Sequence, residues 1–229
     1  MFAVNKINPT FLGVPTIHLT ESAARKMRRL VKQVNTEVGW LMVCNELDDG
    51  DFVLSDCVIP RQDVNGATTE LTPQGLSEVG VALMNEDIAK GITPEMDAFR
   101  FNHLNAWFHS HATMGVSPSG QDDQQMVDFC QEYGDSHKVW IRGIVNKAGD
   151  IHLSVYYRCS KVWKVVTGCP VEIQWDSTGA IDTEIDAIIA DRVKAKGTTT
   201  FPVVNHGKTY PTYNYRQRGK NLSVHRGVH

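Results

Sequence analysis

Residues 38–44 read Val-Gly-Trp-Leu-Met-Val-Cys, and after the turn signal Asp48-Asp49-Gly50 residues 52–60 read Phe-Val-Leu-Ser-Asp-Cys-Val-Ile-Pro. The first run is continuously apolar yet too short for a membrane span, the pattern of a strand buried on both faces. With the turn between them, the two runs predict a β-hairpin. Upstream, TESAARKMRRLVKQV (20–34) sets Ala23, Met27, Leu30, Val31 and Val34 on one face at helical spacing, behind Thr20 as N-cap; the other face is basic. Downstream, 71–90 predicts a second helix with Thr72 as N-cap, Pro73 in its first turn and Leu76, Val79, Leu83 and Met84 toward the core, although Gly75 and Gly80 weaken that pattern.

Further along, LNAWFHSH (104–111) reads as a strand running straight into the polar loop ATMGVSPSG (112–120), followed by a helix from about Ser119 to Tyr133. KVWIRGIVNK (138–147), the turn Ala148-Gly149-Asp150 and IHLSVYYRC (151–159) predict a second hairpin, PVEIQW (170–175) a further strand, and Asp182–Lys196 a last helix carrying Ile185, Ile188, Ile189 and Val193 on one face. Mixed strands and helices with prominent hairpins point to an α/β or α+β sandwich, a mixed, largely antiparallel sheet flanked by helices. Beyond Gly197 the residues include several Lys and Arg, no acidic residue and Tyr210, Tyr213 and Tyr215, which suits an extended arm or disordered end, docking or merely solubilising.

Composition bounds the function. At 229 residues with 41% hydrophobic content the chain can fill one core with an appendage, and a formal charge of -3 argues against whole-molecule attraction to nucleic acid or an anionic membrane. No run approaches a membrane span and no basic, then apolar, leader opens the chain, so a cytoplasmic location is expected. Self-association into a homodimer is compatible with the sequence. Cys44, Cys57, Cys130, Cys159 and Cys169 are odd in number and never at C-x-x-C spacing, so they are expected to be free, mostly small buried hydrophobes.

The chemistry concentrates at His109-Ser110-His111, Ser119 and Asp122. Histidines at i and i+2 on a strand project from one face, and Asp122 on the first turn of the next helix can return a carboxylate oxygen to the same point. Two nitrogens and one oxygen suit zinc, and three protein ligands leave a position open for water, as in catalytic sites. A base is then needed; Glu37, at the start of the apolar strand, is the candidate, and Ser119 is placed to donate to a developing oxyanion. Asp123 is the rival third ligand, otherwise favouring the helix N-terminus electrostatically; His103 reads as a loop histidine rather than a fourth ligand, and Trp40 and Trp107 as core aromatics.

Glu37-Val38-Gly39-Trp40-Leu41 followed by H-S-H-x7-S-x2-D resembles the pattern of the JAMM (MPN+) zinc metallopeptidases, with every internal spacing as that family has it, over roughly Ile17 to Cys159. The resemblance implies an MPN-type, cytidine-deaminase-like fold, one zinc per chain on His109, His111 and Asp122, Glu37 as general acid/base through the metal water, and Ser119 as oxyanion partner. It implies a catalytic domain over 1–160, with 161–196 an extension the family does not match, packed on it, and 197–229 a basic tail. Its members cleave isopeptide bonds to ubiquitin, process ubiquitin-like proteins or trim peptides. Deubiquitinating members usually carry proline after the second histidine, whereas Ala112-Thr113-Met114-Gly115 here looks like prokaryotic or phage-like members. The expected activity is hydrolysis near the C-terminus of a ubiquitin-like or other small protein, in a groove bordered by Ala112–Pro118 and Asp87–His103. The alternatives are a peptide substrate in a bacterial or phage pathway, or a metal-free scaffold that only binds partners.

Overall fold

The computed structural model describes residues 4–6, 13–64, 69–71, 73–132, 134–160, 162–174 and 181–195. The expectations for Thr72, Tyr133 and the tail 197–229 lie outside these residues. In chain order the elements are β1 (Val4–Lys6), β2 (Ile17–Thr20), α1 (Glu21–Gln33), β3 (Gly39–Glu46), β4 (Phe52–Val58), β5 (Gln62–Val64), β6 (Thr69–Leu71), α2 (Pro73–Ala89), a 3-10 turn Arg100–His103, β7 (Ala106–Ser110), α3 (Gly120–Glu132), β8 (Val139–Val145), β9 (Ile151–Cys159), β10 (Val162–Thr167), β11 (Val171–Gln174), α4 (Ile181–Arg192) and β12 (Val193–Ala195). Among the described residues no helix is long and apolar enough to cross a membrane.

One sheet orders its strands β1-β10-β9-β8-β7-β3-β4-β2-β11, and a small one β12-β5-β6. Both expected hairpins form, β3 on β4 and β8 on β9. The large sheet is mixed, as expected: β9/β10, β8/β9, β3/β7 and β3/β4 pair antiparallel, while β1/β10, β7/β8, β2/β4 and β2/β11 run parallel. Turn signals report only pairings between sequence neighbours, whereas parallel pairs need crossovers such as the one α3 makes between β7 and β8.

The apolar run 38–44 is buried throughout because helices cover the sheet on both sides. Trp40, Met42 and Cys44 join one cluster with Met27 and Leu30 of α1 and Ile185 and Ile189 of α4; Leu41 and Val43 join another with Val79 and Leu83 of α2 and Met126 of α3. The sequence from β10 onward is built into this architecture: β10 pairs with β9, β11 with β2, and Arg29 on the basic face of α1 donates through Nε and a terminal nitrogen to Asp186 of α4, both at 2.7 Å. Val193, expected on the last helix, lies in β12 beside Gln62, since α4 ends at Arg192.

Thr20 caps α1 as expected, its hydroxyl accepting from the Ala23 amide. The two glycines that weaken the α2 pattern sit where a side chain has no room: a Cβ at Gly75 would overlap the Arg61 carbonyl, and one at Gly80 would press on the Phe101 ring. Cys44, Cys57, Cys130 and Cys169 are buried, Cys159 half-buried, and all are free.

Candidate metal centre

The site forms at the C-terminal end of β7, where the chain leaves the sheet and turns into α3. Alternation along β7 sends Ala106 and Phe108 to the α1 side and Trp107 to the α3 side, so His109 also faces α3. Gly39 pairs with His109 across the strands, and a Cβ there would fall inside the Trp107 ring, which stacks on His109 with centroids 6.3 Å apart. Gly39→Ala is therefore expected to displace Trp107 and destabilise the fold by about 1–3 kcal/mol, the usual cost of overpacking. A thermal unfolding midpoint equal to that of the unaltered protein would refute this reading.

Ser110 points the opposite way from its flanking histidines. Its Oγ accepts from the Val38 amide at 3.2 Å, while its own amide donates to the Val38 carbonyl at 2.8 Å. The segment joining α1 to β3 is thereby stapled to β7, with Glu37 in it. Gly39 is held from its other side by the buried Gln62 carboxamide, which accepts from the Gly39 amide at 2.8 Å and donates to its carbonyl at 2.7 Å.

All five expected site residues line one cleft of about 380 Å³: Glu37, His109, His111, Ser119 and Asp122, together with Met114, Gly115, Ser117, Gln121 and Gln125. The loop 112–118 borders it as expected. The segment 87–103 does not; its Phe101 and Asn102 line a separate apolar hollow between α2 and α3. The Nε2 atoms of His109 and His111 stand 3.1 Å apart, and Asp122 brings Oδ1 to 2.9 Å from the first and Oδ2 to 3.4 Å from the second. All three residues are buried.

The hydrogen bonding fixes what these atoms can do. His111 Nδ1 is 2.7 Å from the Gly115 carbonyl, which only accepts, so Nδ1 carries a proton and, in the neutral form of the ring, Nε2 turns a lone pair inward. That lone pair meets another imidazole nitrogen and a carboxylate. Convergent acceptors in a buried place need a cation or a proton between them. A ligating histidine held through its other nitrogen by a carbonyl is the arrangement metal sites use, and the three groups can present ligand atoms within 4.8 Å of one another. The donor set fits a divalent metal such as zinc.

Asp122 is held by its own helix start. Ser119 donates its amide to Asp122 Oδ2 at 2.6 Å, and the Asp122 amide donates to Ser119 Oγ at 3.2 Å, a reciprocal cap on α3. Burial works to raise the Asp122 carboxyl, but hydrogen bonds from His109 and from the Ser119 amide overcome it and hold the group well below the usual carboxylate range. Burial pushes Glu37 up, opposed by His111 and reinforced by Asp122.

The rival residues are engaged elsewhere. Asp123 accepts from the buried Arg142 on β8 at 2.7 Å rather than acting only on the helix N-terminus, and the His103 ring lies 2.7 Å from the Asp97 carbonyl in the 3-10 turn. Trp40 and Trp107 are fully buried. Ala112, directly after His111, has φ 47°, a left-handed conformation closed to proline, whose ring fixes φ near about -65°. Ser110, Gln62 and the Gly115 carbonyl were not foreseen as supports; only the S-x-x-D cap at Ser119 has a signature legible in sequence. A scan against protein-family models and a search of curated proteins both return no match, so the chemistry of this centre rests on its own atoms.

Proposed function

We propose that the chain is a zinc-dependent metallopeptidase of the JAMM (MPN+) type, on an MPN-like, cytidine-deaminase-like fold, that hydrolyses an isopeptide or peptide bond at the C-terminus of a ubiquitin-like or other small protein. The observation that carries this reading is the meeting of two imidazole Nε2 atoms and a carboxylate in the cleft that Glu37 also lines. His109, His111 and Asp122 would hold the zinc, which would supply Lewis acidity and an acidified water. Glu37 takes the proton of the attacking water and delivers it to the leaving amine. Burial that lifts its carboxyl above the ordinary range suits a group that must both accept and return a proton. The Ser119 oxygen accepts from the Asp122 amide, which leaves its hydroxyl proton to meet the developing oxyanion. Apart from Glu37 and the ligand set the lining is uncharged, so an uncharged backbone segment passes without leaving a charge unmatched.

Metal analysis of the purified protein is the first test, with one zinc per chain expected and its removal by a chelator expected to end turnover. Well under one zinc, with no uptake when zinc is added, would make the chain a scaffold rather than an enzyme. Linear fusions to a ubiquitin-like protein and a pool of short blocked peptides, offered to the same preparation, separate the two substrate readings. Cleavage of the fusion alone supports the first, and efficient cleavage of peptides supports a peptidase of broader use.

A further inference from the structure

Trp107 is fully buried beneath the centre, and its indole N–H, which can only donate, donates to Gln125 Oε1 at 3.0 Å. That bond settles which end of the Gln125 carboxamide faces which way. The oxygen is held against Trp107, and the NH2 group is turned away from it. Gln125 lies on α3 about one turn past Asp122, is half-buried and lines the cleft with Glu37 and the two histidines. Among the described residues its Nε2 has no hydrogen-bond partner.

The other polar side chains of the cleft are committed or solvated. The ligand atoms face one another, the Ser119 hydroxyl proton is reserved for the oxyanion, and Ser117 and Gln121 are exposed, where water competes. An extended substrate segment brings a carbonyl acceptor at every residue, and an acceptor taken out of water needs a donor. Glu37 and Asp122 cannot supply one when ionised.

We propose that Gln125 is a substrate-positioning residue, donating from Nε2 to a main-chain carbonyl of the extended segment beside the scissile bond and so setting its register along α3. The assignment rests on the peptidase reading of the site. It makes Trp107 a double support, stacking under one metal-binding ring while orienting the donor that holds the substrate.

The test is steady-state kinetics of Gln125→Glu and Gln125→Met on the fusion and peptide probes. Gln125→Glu keeps an oxygen for the Trp107 N–H and sets a second oxygen where the NH2 was. Gln125→Met keeps the length but removes both the donor and the oxygen that accepts from Trp107, so its thermal midpoint is expected to fall as well. We expect kcat/KM to fall about tenfold for the Met variant, the loss of one hydrogen bond, and further for the Glu variant. The fall should be carried by KM, with kcat within threefold and zinc content unchanged in both variants, and with the thermal midpoint unchanged in Gln125→Glu, which keeps the Trp107 bond. Values for both variants within twofold of wild type overturn the assignment. So does a fall in Gln125→Glu accompanied by lost zinc or a lowered midpoint, which would make Gln125 a mere prop for Trp107. If the wild-type protein cleaves neither probe, the peptidase reading has failed first, and this assignment falls with it.

Discussion

On the proposed reading, Glu37→Gln is expected to lower kcat by about 10²–10⁴-fold, the range removed with a positioned general acid/base, while the variant folds and takes up as much zinc as the wild type. The separation follows from where Glu37 sits. It lines the cleft but is outside the group formed by His109, His111 and Asp122, so an amide in its place leaves the ligand set intact. The backbone around it is held through Val38 and Ser110, neither of which depends on the carboxyl. Stability is expected to move the other way from activity. A carboxyl whose value is raised in the folded state opposes folding wherever the unfolded chain would ionise it, so the neutral isostere relieves that cost at neutral pH in the metal-free protein. Measured together, kcat, zinc per chain and thermal midpoint give a sharp outcome. Turnover within threefold of wild type removes Glu37 as the base, and a variant that loses its zinc makes Glu37 a ligand instead.

The parts of this molecule legible in sequence are those whose cause is local. The run 38–44 declares a strand buried on both faces because each residue needs cover, and the alternation of His109 and His111 declares a shared face because strand geometry has period two. Thr20 and Pro73 mark helix starts through groups within the next turn. What stayed hidden depends on distant partners. Gly75 and Gly80 look like flaws in a helix until Arg61 and Phe101 are set against them, and Gly39 looks permissive until Trp107 fills its place. Ser110 reads as the filler of an H-x-H motif, yet it ties Val38, the neighbour of Glu37, to the strand of His109 across 72 residues of sequence. The parallel pairing of β2 with β4 and β11, and of β1 with β10, has no turn to announce it. The five residues that meet in the cleft stand out in sequence because their identities are chemically scarce in combination, whereas their supports are ordinary residues whose meaning comes from position.

A chain ended after Ser160, at the boundary the family resemblance implies for the catalytic domain, is expected not to fold. β10 pairs with β9 along its whole length and buries Trp163, Val165 and Val166; α4 buries Ile185 and Ile189 against the cluster that holds α1. Each such side chain contributes about 1.5–3 kcal/mol on burial, so together they supply on the order of 10 kcal/mol, comparable to the whole net stability of about 5–15 kcal/mol of a typical domain. The pairing of Arg29 with Asp186 adds little, being partly open to solvent. Truncation would also strip partners from β9 and β2 together, leaving two open strand edges prone to aggregation. Residues up to Lys196 form one compact unit, so ending the chain there keeps every described element. Circular dichroism and chemical unfolding of the two truncations decide it, with cooperative unfolding expected for 1–196 and none for 1–160. Should 1–160 unfold cooperatively near the midpoint of the longer chain, the C-terminal elements are an ornament on a finished core. Even then α4 would matter to the site, because it backs α1, and the residues after α1 carry Glu37 to the cleft.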